Sequence, residues 1–209
     1  AYQLAKASQE IKRDLETIML ANQGRDAGSS NSTARKMASL LSWITTNSSV
    51  GSGGADPTTI GVSTRSDGTQ RTFTEALLKT VVASVFDSGG SPTVLMVGSA
   101  GKQKVSSFAG IGATRFNVTG ARPSTIIGAA DIYVSDFGNI SVVPNRFMRT
   151  RDALVLDPEY AAVAYLRPFQ TNELAKAGDS DKTQVLVECT LEVKNEAAHG
   201  IVADLDMSL

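Results

Sequence analysis

Apolar residues fall at helical spacing over the first stretch of the chain. Leu4, Ala7, Ile11, Leu15 and Ile18 recur at three and four residues and form one stripe, so the spacing predicts an amphipathic helix over Tyr2–Gln23. Lys6 with Glu10, and Lys12 with Glu16, are opposite charges four residues apart on the polar side. Gly24 supplies a stop. At 1.5 Å per residue such a rod is about 33 Å long, enough to brace a domain. A shorter helical pattern follows at Met37, Leu40, Leu41 and Ile44, after a loop over Gly28–Thr33.

Ser48–Asp56 is rich in Gly and Ser, and polar residues continue to Gln70. That composition predicts a long flexible connection and a subdomain boundary. A second helix is expected over Phe73–Asp87. Thr72 and Glu75 have the spacing of a capping box, and Phe73, Leu77, Val81 and Val85 line one face with Leu78 and Val82 beside them. Gly89, Gly90 and Pro92 end it, and the apolar run Thr93–Val97 reads as a buried strand.

From Thr125 onward the pattern turns to β. Ile132–Val134 and Ile140–Val143 flank a turn and predict a hairpin. Leu154–Leu156 and Ala161–Leu166 read as short strands, and Ala175–Lys182 as a polar turn. Gln184–Val193 alternates with period two. Val185, Val187, Cys189, Leu191 and Val193 face one way, as on a half-buried strand. His199–Leu205 is expected to pair back on that strand across Lys194–Glu196. No internal repeat is visible.

Composition adds limits. A chain of 209 residues, 42% hydrophobic and 20% charged, can bury a core and is not of disordered type. A net charge of -1 lacks the basic excess of a protein that grips nucleic acid, so DNA is expected only as a non-specific neighbour. The single Cys189 can form neither an intrachain disulfide nor a thiolate zinc cage. No apolar run approaches the roughly 18 residues of a spanning helix, and no membrane partner is expected.

The search for chemistry yields no catalytic, cofactor-binding or metal-binding residue. Gly98-Ser99-Ala100-Gly101-Lys102 follows a strand like a phosphate loop, but Met96 stands where the first Gly belongs, and Gln103 where a Ser or Thr would hold Mg²⁺. A turn into a short helix around Val105 and Phe108 is the expected structure. Asp136-Phe137-Gly138 spells a kinase motif without the other kinase motifs, and reads as a turn. His199 is the only histidine and has no nucleophile elbow to serve. Asp179 and Asp181 lie in a polar turn. Arg146, Arg149 and Arg151, with Arg167 further on, form a patch suited to carboxylates on a partner chain. The sequons at Asn31, Asn47, Asn117 and Asn139 carry little weight without a secretion signal.

Several stretches together resemble the major capsid proteins of tailed bacteriophages. They are Tyr133–Gly138, Val142–Met148, Leu156–Tyr160, Leu166–Gln170, Leu174–Ser180 and Thr190–Glu196, with Lys12–Glu16 in the opening helix. The resemblance spans Tyr2 to about Leu205 and rests on the order and density of these stretches. It implies an α+β fold shared with herpesvirus capsid floors and encapsulins: a long spine helix in a peripheral domain, and an axial domain with a mixed sheet. On that plan residues 1–47 are peripheral and carry the spine helix, 48–174 are axial, and 175–209 return to the peripheral domain. The implied function is a structural subunit of an icosahedral phage or prophage head, not an enzyme. Its hexamers and pentamers would enclose the genome and be assembled in the bacterial cytoplasm. Partners are then further copies of the chain, with scaffold, portal and decoration proteins. An encapsulin-like compartment shell is the alternative, and a nucleotide-binding enzyme acting near Gly98–Lys102 is a distant one. In the family an N-terminal arm and an extended loop precede the spine helix. Here the helical pattern begins at once, so the chain is expected to be a fragment or processed product with more sequence ahead of Ala1.

Overall fold

The computed structural model describes residues 2–29, 32–108, 131–176 and 178–208. Within them a six-stranded mixed sheet has the order β1-β9-β6-β3-β5-β4. Its strands are β1 (Ser48–Ser49), β3 (Val94–Val97), β4 (Ile132–Ser135), β5 (Gly138–Pro144), β6 (Ala153–Leu156) and β9 (Gly200–Val202). β2 (Arg71–Thr72) pairs separately with β10 (Leu205–Asp206).

Period-two alternation sends the sheet's side chains into two cores. Leu95, Val97, Ala153, Val155, Ile140, Val142 and Val202 face α3 (Glu75–Asp87) and α4 (Ser99–Ser106). Leu154, Leu156 and Ile201 face the other way. They meet Leu41 on α2 (Leu40–Trp43), Ile44, and Leu20 at the end of α1 (Tyr2–Leu20). The α+β class with a mixed sheet holds. On α3 the buried row is Leu78, Val81, Val82 and Val85; Leu77, expected in the main row, is half-buried, and Phe73 lies ahead of the helix, which begins at Glu75.

The second unit is a two-stranded antiparallel ribbon of β7 (Ala161–Glu173) and β8 (Thr183–Val193). α1 runs along it, touching β8. β7 continues seven residues past Leu166, where the apolar run stops. It crosses Pro168 because the register shifts there, between Arg167 and Gln170, and a missing ladder N–H costs least at such an irregularity.

Other expectations are corrected. α1 ends at Leu20, and Gln23 leaves the helix to accept at its backbone O from Ser39 N and Oγ, at 2.9 and 3.0 Å. The charge pairs on α1 do not close. Lys6 and Lys12 lie over the rings of Tyr2 and Phe169 instead, and Glu16 accepts from Asn145 Nδ2 at 2.6 Å. The helical turn expected from Met37 is only Leu40–Trp43. The capping box is absent. Thr72 belongs to β2, Thr74 caps without a side-chain bond, and Glu75 turns outward to Lys79 and Tyr133.

Residues 50–70 are not a loose connection. Ala55 and Ser66 pair backbone to backbone, Asn22 and Arg65 exchange two hydrogen bonds, and Ser42 Oγ donates to Ser63 O at 2.8 Å. Polar residues read as solvated in one dimension are here bonded to one another. Finally, His199–Leu205 does not fold back on β8. Its β9 segment lies between β1 and β6, because Ile201 and Val202 are apolar on successive positions and so suit a strand buried on both faces. The onset of β pattern at Thr125 and the sequons Asn31 and Asn117 lie outside the described residues.

Candidate assembly surface

The two units differ in how they treat apolar side chains. Within the sheet, β6 and β9 bury theirs completely. The ribbon and α1 do not. Leu4, Ala7, Ile11, Leu15 and Ile18 form the expected stripe, yet each is only half-buried, and Leu20 is the only fully buried residue of α1. On the ribbon the inward row Val185, Val187, Cys189 and Val193 is likewise half-buried, and only Leu191 is closed off. Tyr165 is 53% exposed and Leu166 78%.

Between these elements lies an open groove of about 790 Å³. Leu15 of α1, Met37, Tyr165, Leu166, Val187 and Cys189 line its apolar part. Arg35, Lys36, Asp26 and Glu188 supply its charged lining, two basic and two acidic residues. The local reason is sequence-level. β8 alternates, so one row of Val and Cys faces α1, and α1 is a single rod that covers only part of a ribbon two strands wide. A second apolar spot sits on the edge strand β4. Ile132 and Val134 point outward there, and Phe137 at the hairpin turn packs on Phe86 with ring centroids 4.7 Å apart.

Lys102 lies on α4, which begins at Ser99 straight after Gly98. Its Nζ donates to Asp131 Oδ1 at 3.0 Å and to Val142 O at 2.8 Å, so it braces the sheet. His199 is fully buried. Its Nδ1 accepts from Asp157 N at 3.2 Å, which puts the imidazole proton on Nε2, and burial keeps the ring neutral by lowering its pKa. Burial pushes the Cys189 thiol up, away from the reactive thiolate. Asn47 is buried, with Nδ2 donating to Ala197 O and His199 O. Asp181 pairs with Lys176 at 2.7 Å in the exposed turn. Among the described residues no cluster of His, Cys, Asp and Glu could hold a metal ion, and no helix is long and apolar enough to cross a membrane.

The arginine patch is corrected. Arg149 reaches Asp67 and Asp152 at 2.6 and 2.9 Å, Arg151 reaches Asp204 at 2.7 Å, and Arg167 holds Glu188 with two bonds. These partners belong to the same chain, so three of the four arginines are engaged internally. Arg65 was not singled out in the sequence, yet its side chain is buried and binds Asp56 and Ile44 O. A buried arginine inside a polar stretch leaves no periodic mark. Asp204 was likewise unread. Its one local trace is a positive φ of 58°, which the sequence does not announce.

A model of the SU10 major capsid protein family matches residues 1–206. Among solved structures, the holo-SrpI encapsulin complex of Synechococcus elongatus is similar over 99% of this chain and 66% of its own, with a TM-score of 0.56 and 12% identity. The procapsid of satellite phage P4, which includes the size determination protein Sid, is similar over 98% of this chain and 64% of its own, with a TM-score of 0.51 and 15% identity. The chain thus spans a little under two thirds of each neighbour's length, and at these identities the likeness is one of fold. No curated protein matches the chain.

Proposed function

The chain belongs to the SU10 major capsid protein family, and from that membership we propose that it is a structural subunit of an icosahedral phage or prophage head. The family match over residues 1–206 carries this reading. Family and fold point to a structural role instead of an enzymatic one. Copies of the chain associate as hexamers and pentamers that enclose the genome. Closed symmetric rings suit a surface such as the ribbon and α1, where many partial apolar contacts are left to be completed. Scaffold, portal and decoration proteins are the further partners of this reading. DNA is contained without being read, the virion capsid is the location, and assembly occurs in the host cytoplasm.

Residues 1–47 and 175–209 form the peripheral part of this subunit and 48–174 the axial part. Backbone pairing joins the parts across both boundaries: β7 (Ala161–Glu173) pairs with β8, and β9 lies in the six-stranded sheet. The likeness in fold to an encapsulin favours a second reading, a compartment shell with a protein cargo. Electron microscopy and light scattering on the purified full-length protein test both. Capsomer-sized rings or closed particles are expected. A protein that stays monomeric at high concentration with scaffold supplied would sink the shell reading. Particles that form only around a co-expressed cargo enzyme would favour the compartment.

A further inference from the structure

Five charged side chains meet where the 50–70 segment lies against the end of the sheet. Asp67 comes from that segment, Arg149, Arg151 and Asp152 from the turn before β6, and Asp204 from the turn before β10. Asp204 accepts from Gly51 N at 3.0 Å, Gly68 N at 2.8 Å and Arg151 Nη2 at 2.7 Å. Arg151 Nη2 also donates to Gly68 O at 2.6 Å. Arg149 bridges Asp67 at 2.6 Å and Asp152 at 2.9 Å. The cluster is therefore the fastening between the 50–68 segment and the sheet.

Its charges do not balance. Three carboxylates face two guanidiniums, which leaves one negative charge over when all are ionised. The three acids are unequal in how they can bear it. Asp204 has three donors. Asp67 touches both arginines and is open to water, with 37% of its side chain exposed. Asp152 is fully buried, has Arg149 on one oxygen, and has no partner for Oδ1 among the described residues. A buried carboxylate oxygen without a donor loses hydration and regains nothing.

We propose that Asp152 is the proton acceptor of a pH-sensitive latch, taking up one proton in mild acid and so holding the 50–68 segment more firmly on the sheet. The groups facing it are Arg149 from its own turn, Asp67 and Arg65 from the segment, and Asp204 from the turn before β10. Burial is the largest influence and raises its pKa. Arg149 and Arg65 act against it, and Asp67 and Asp204 act with it. Arg65 is already paired with Asp56, so its field on Asp152 is secondary. With its proton on, Asp152 leaves two anions facing two cations.

The sign follows from linkage. An acid with a raised folded pKa binds its proton more tightly folded than unfolded, so stability rises as pH falls through that raised value. The gain is complete once pH reaches the unfolded value near 3.8. Asp204 behaves oppositely. Burial pushes it up, but the two backbone N–H donors and Arg151 outweigh burial and hold it low, so its contribution fails only in stronger acid. As pH falls, protonation of Asp152 therefore strengthens the fastening before protonation of Asp204 weakens it.

The test compares thermal unfolding of the whole chain and its Asp152→Asn variant from pH 8 to pH 4. The amide has nearly the shape of the protonated acid. The variant is expected to melt about 2–4 °C above wild type at pH 8, the shift that about 1 kcal/mol gives in a chain of this size. That gap should close as pH falls toward 4. A variant that melts at or below wild type at pH 8, or a gap that stays constant with pH, overturns the proposal. If the variant does not fold, carboxyl ¹³C titration of Asp152 in the unaltered protein decides. A midpoint above 3.8 supports the latch, and one at or below it overturns the latch.

Discussion

The six-stranded sheet and the ribbon are built from similar residues and end in different states. In β6 every residue, Ala153 to Leu156, is buried, and helices or turns close both faces of its sheet. In β8 apolar and polar positions alternate instead, and the apolar row leaves Val185, Val187 and Cys189 half-open, with β7 beside it largely exposed. The difference lies in the number of layers. The sheet is covered on both faces, by α3 and α4 on one and by α2, Ile44 and the end of α1 on the other, whereas the ribbon has α1 alone. An isolated two-stranded ribbon has little stability of its own in water, so this ribbon draws its order from α1 and from whatever else covers it. The sheet unit supplies folding free energy, and the ribbon leaves apolar surface open, the division that the proposed shell subunit would need.

Substitutions can break or sharpen this contrast. Leu154→Ala, in the middle of the sheet with no exposure, is expected to cost about 3–5 kcal/mol in urea unfolding, through lost burial and the cavity left behind. A cost under about 1 kcal/mol would mean that the sheet is not the stabilising unit. Asp204→Asn comes next, at about 2–3 kcal/mol, since one amide oxygen cannot replace a carboxylate that accepts from two backbone N–H groups and an arginine. Amide exchange at Gly51 and Gly68 should quicken in the same variant, which localises the damage to the 50–68 segment. Because this carboxyl is held low, the penalty should be full at neutral pH and vanish below its folded pKa, as wild-type Asp204 itself protonates.

On the ribbon the effects should be smaller. Arg167→Ala removes an exposed pair with Glu188, worth at most about 1 kcal/mol and screened by salt. Leu166→Ser should change thermal stability by less than about 0.5 kcal/mol, because the side chain is already in water. The same substitution should lower the yield of rings or particles in light scattering. If Leu166→Ser instead unfolds the chain and leaves assembly of the folded fraction unchanged, the ribbon is part of the core and the contrast fails.

Much of this was legible in one dimension, and the limits are specific. The stripe on α3, the apolar run of β3 and the alternation in β8 are periodic signals within single elements, and each marks the element it builds. The hairpin β4–β5 was readable because its turn residues lie between two apolar runs. The ion pair between Arg151 and Asp204 joins residues 53 apart, and the paired bonds of Asn22 and Arg65 join residues 43 apart. No local pattern marks such partners. The 50–70 segment looks loose in one dimension for this reason, since its serines, glycines and charges find each other across the fold. Of the candidate assembly surface, the apolar stripe on α1 was visible and its incomplete burial was not. Periodicity shows which face of a helix is apolar and says nothing about how much of that face finds a cover.

Three things were settled by the sequence alone: the α+β class, most elements to within a few residues, and the likeness to phage coat proteins. Local physics is sufficient for the elements, because a helix or strand declares its buried face by its own period. Tertiary structure decided the rest. It placed β9 between β1 and β6, extended β7 through Pro168, bound three arginines inside the chain, and gathered Asp67, Asp152 and Asp204 at one fastening. Each outcome depends on which distant groups come within hydrogen-bond reach once the two cores close.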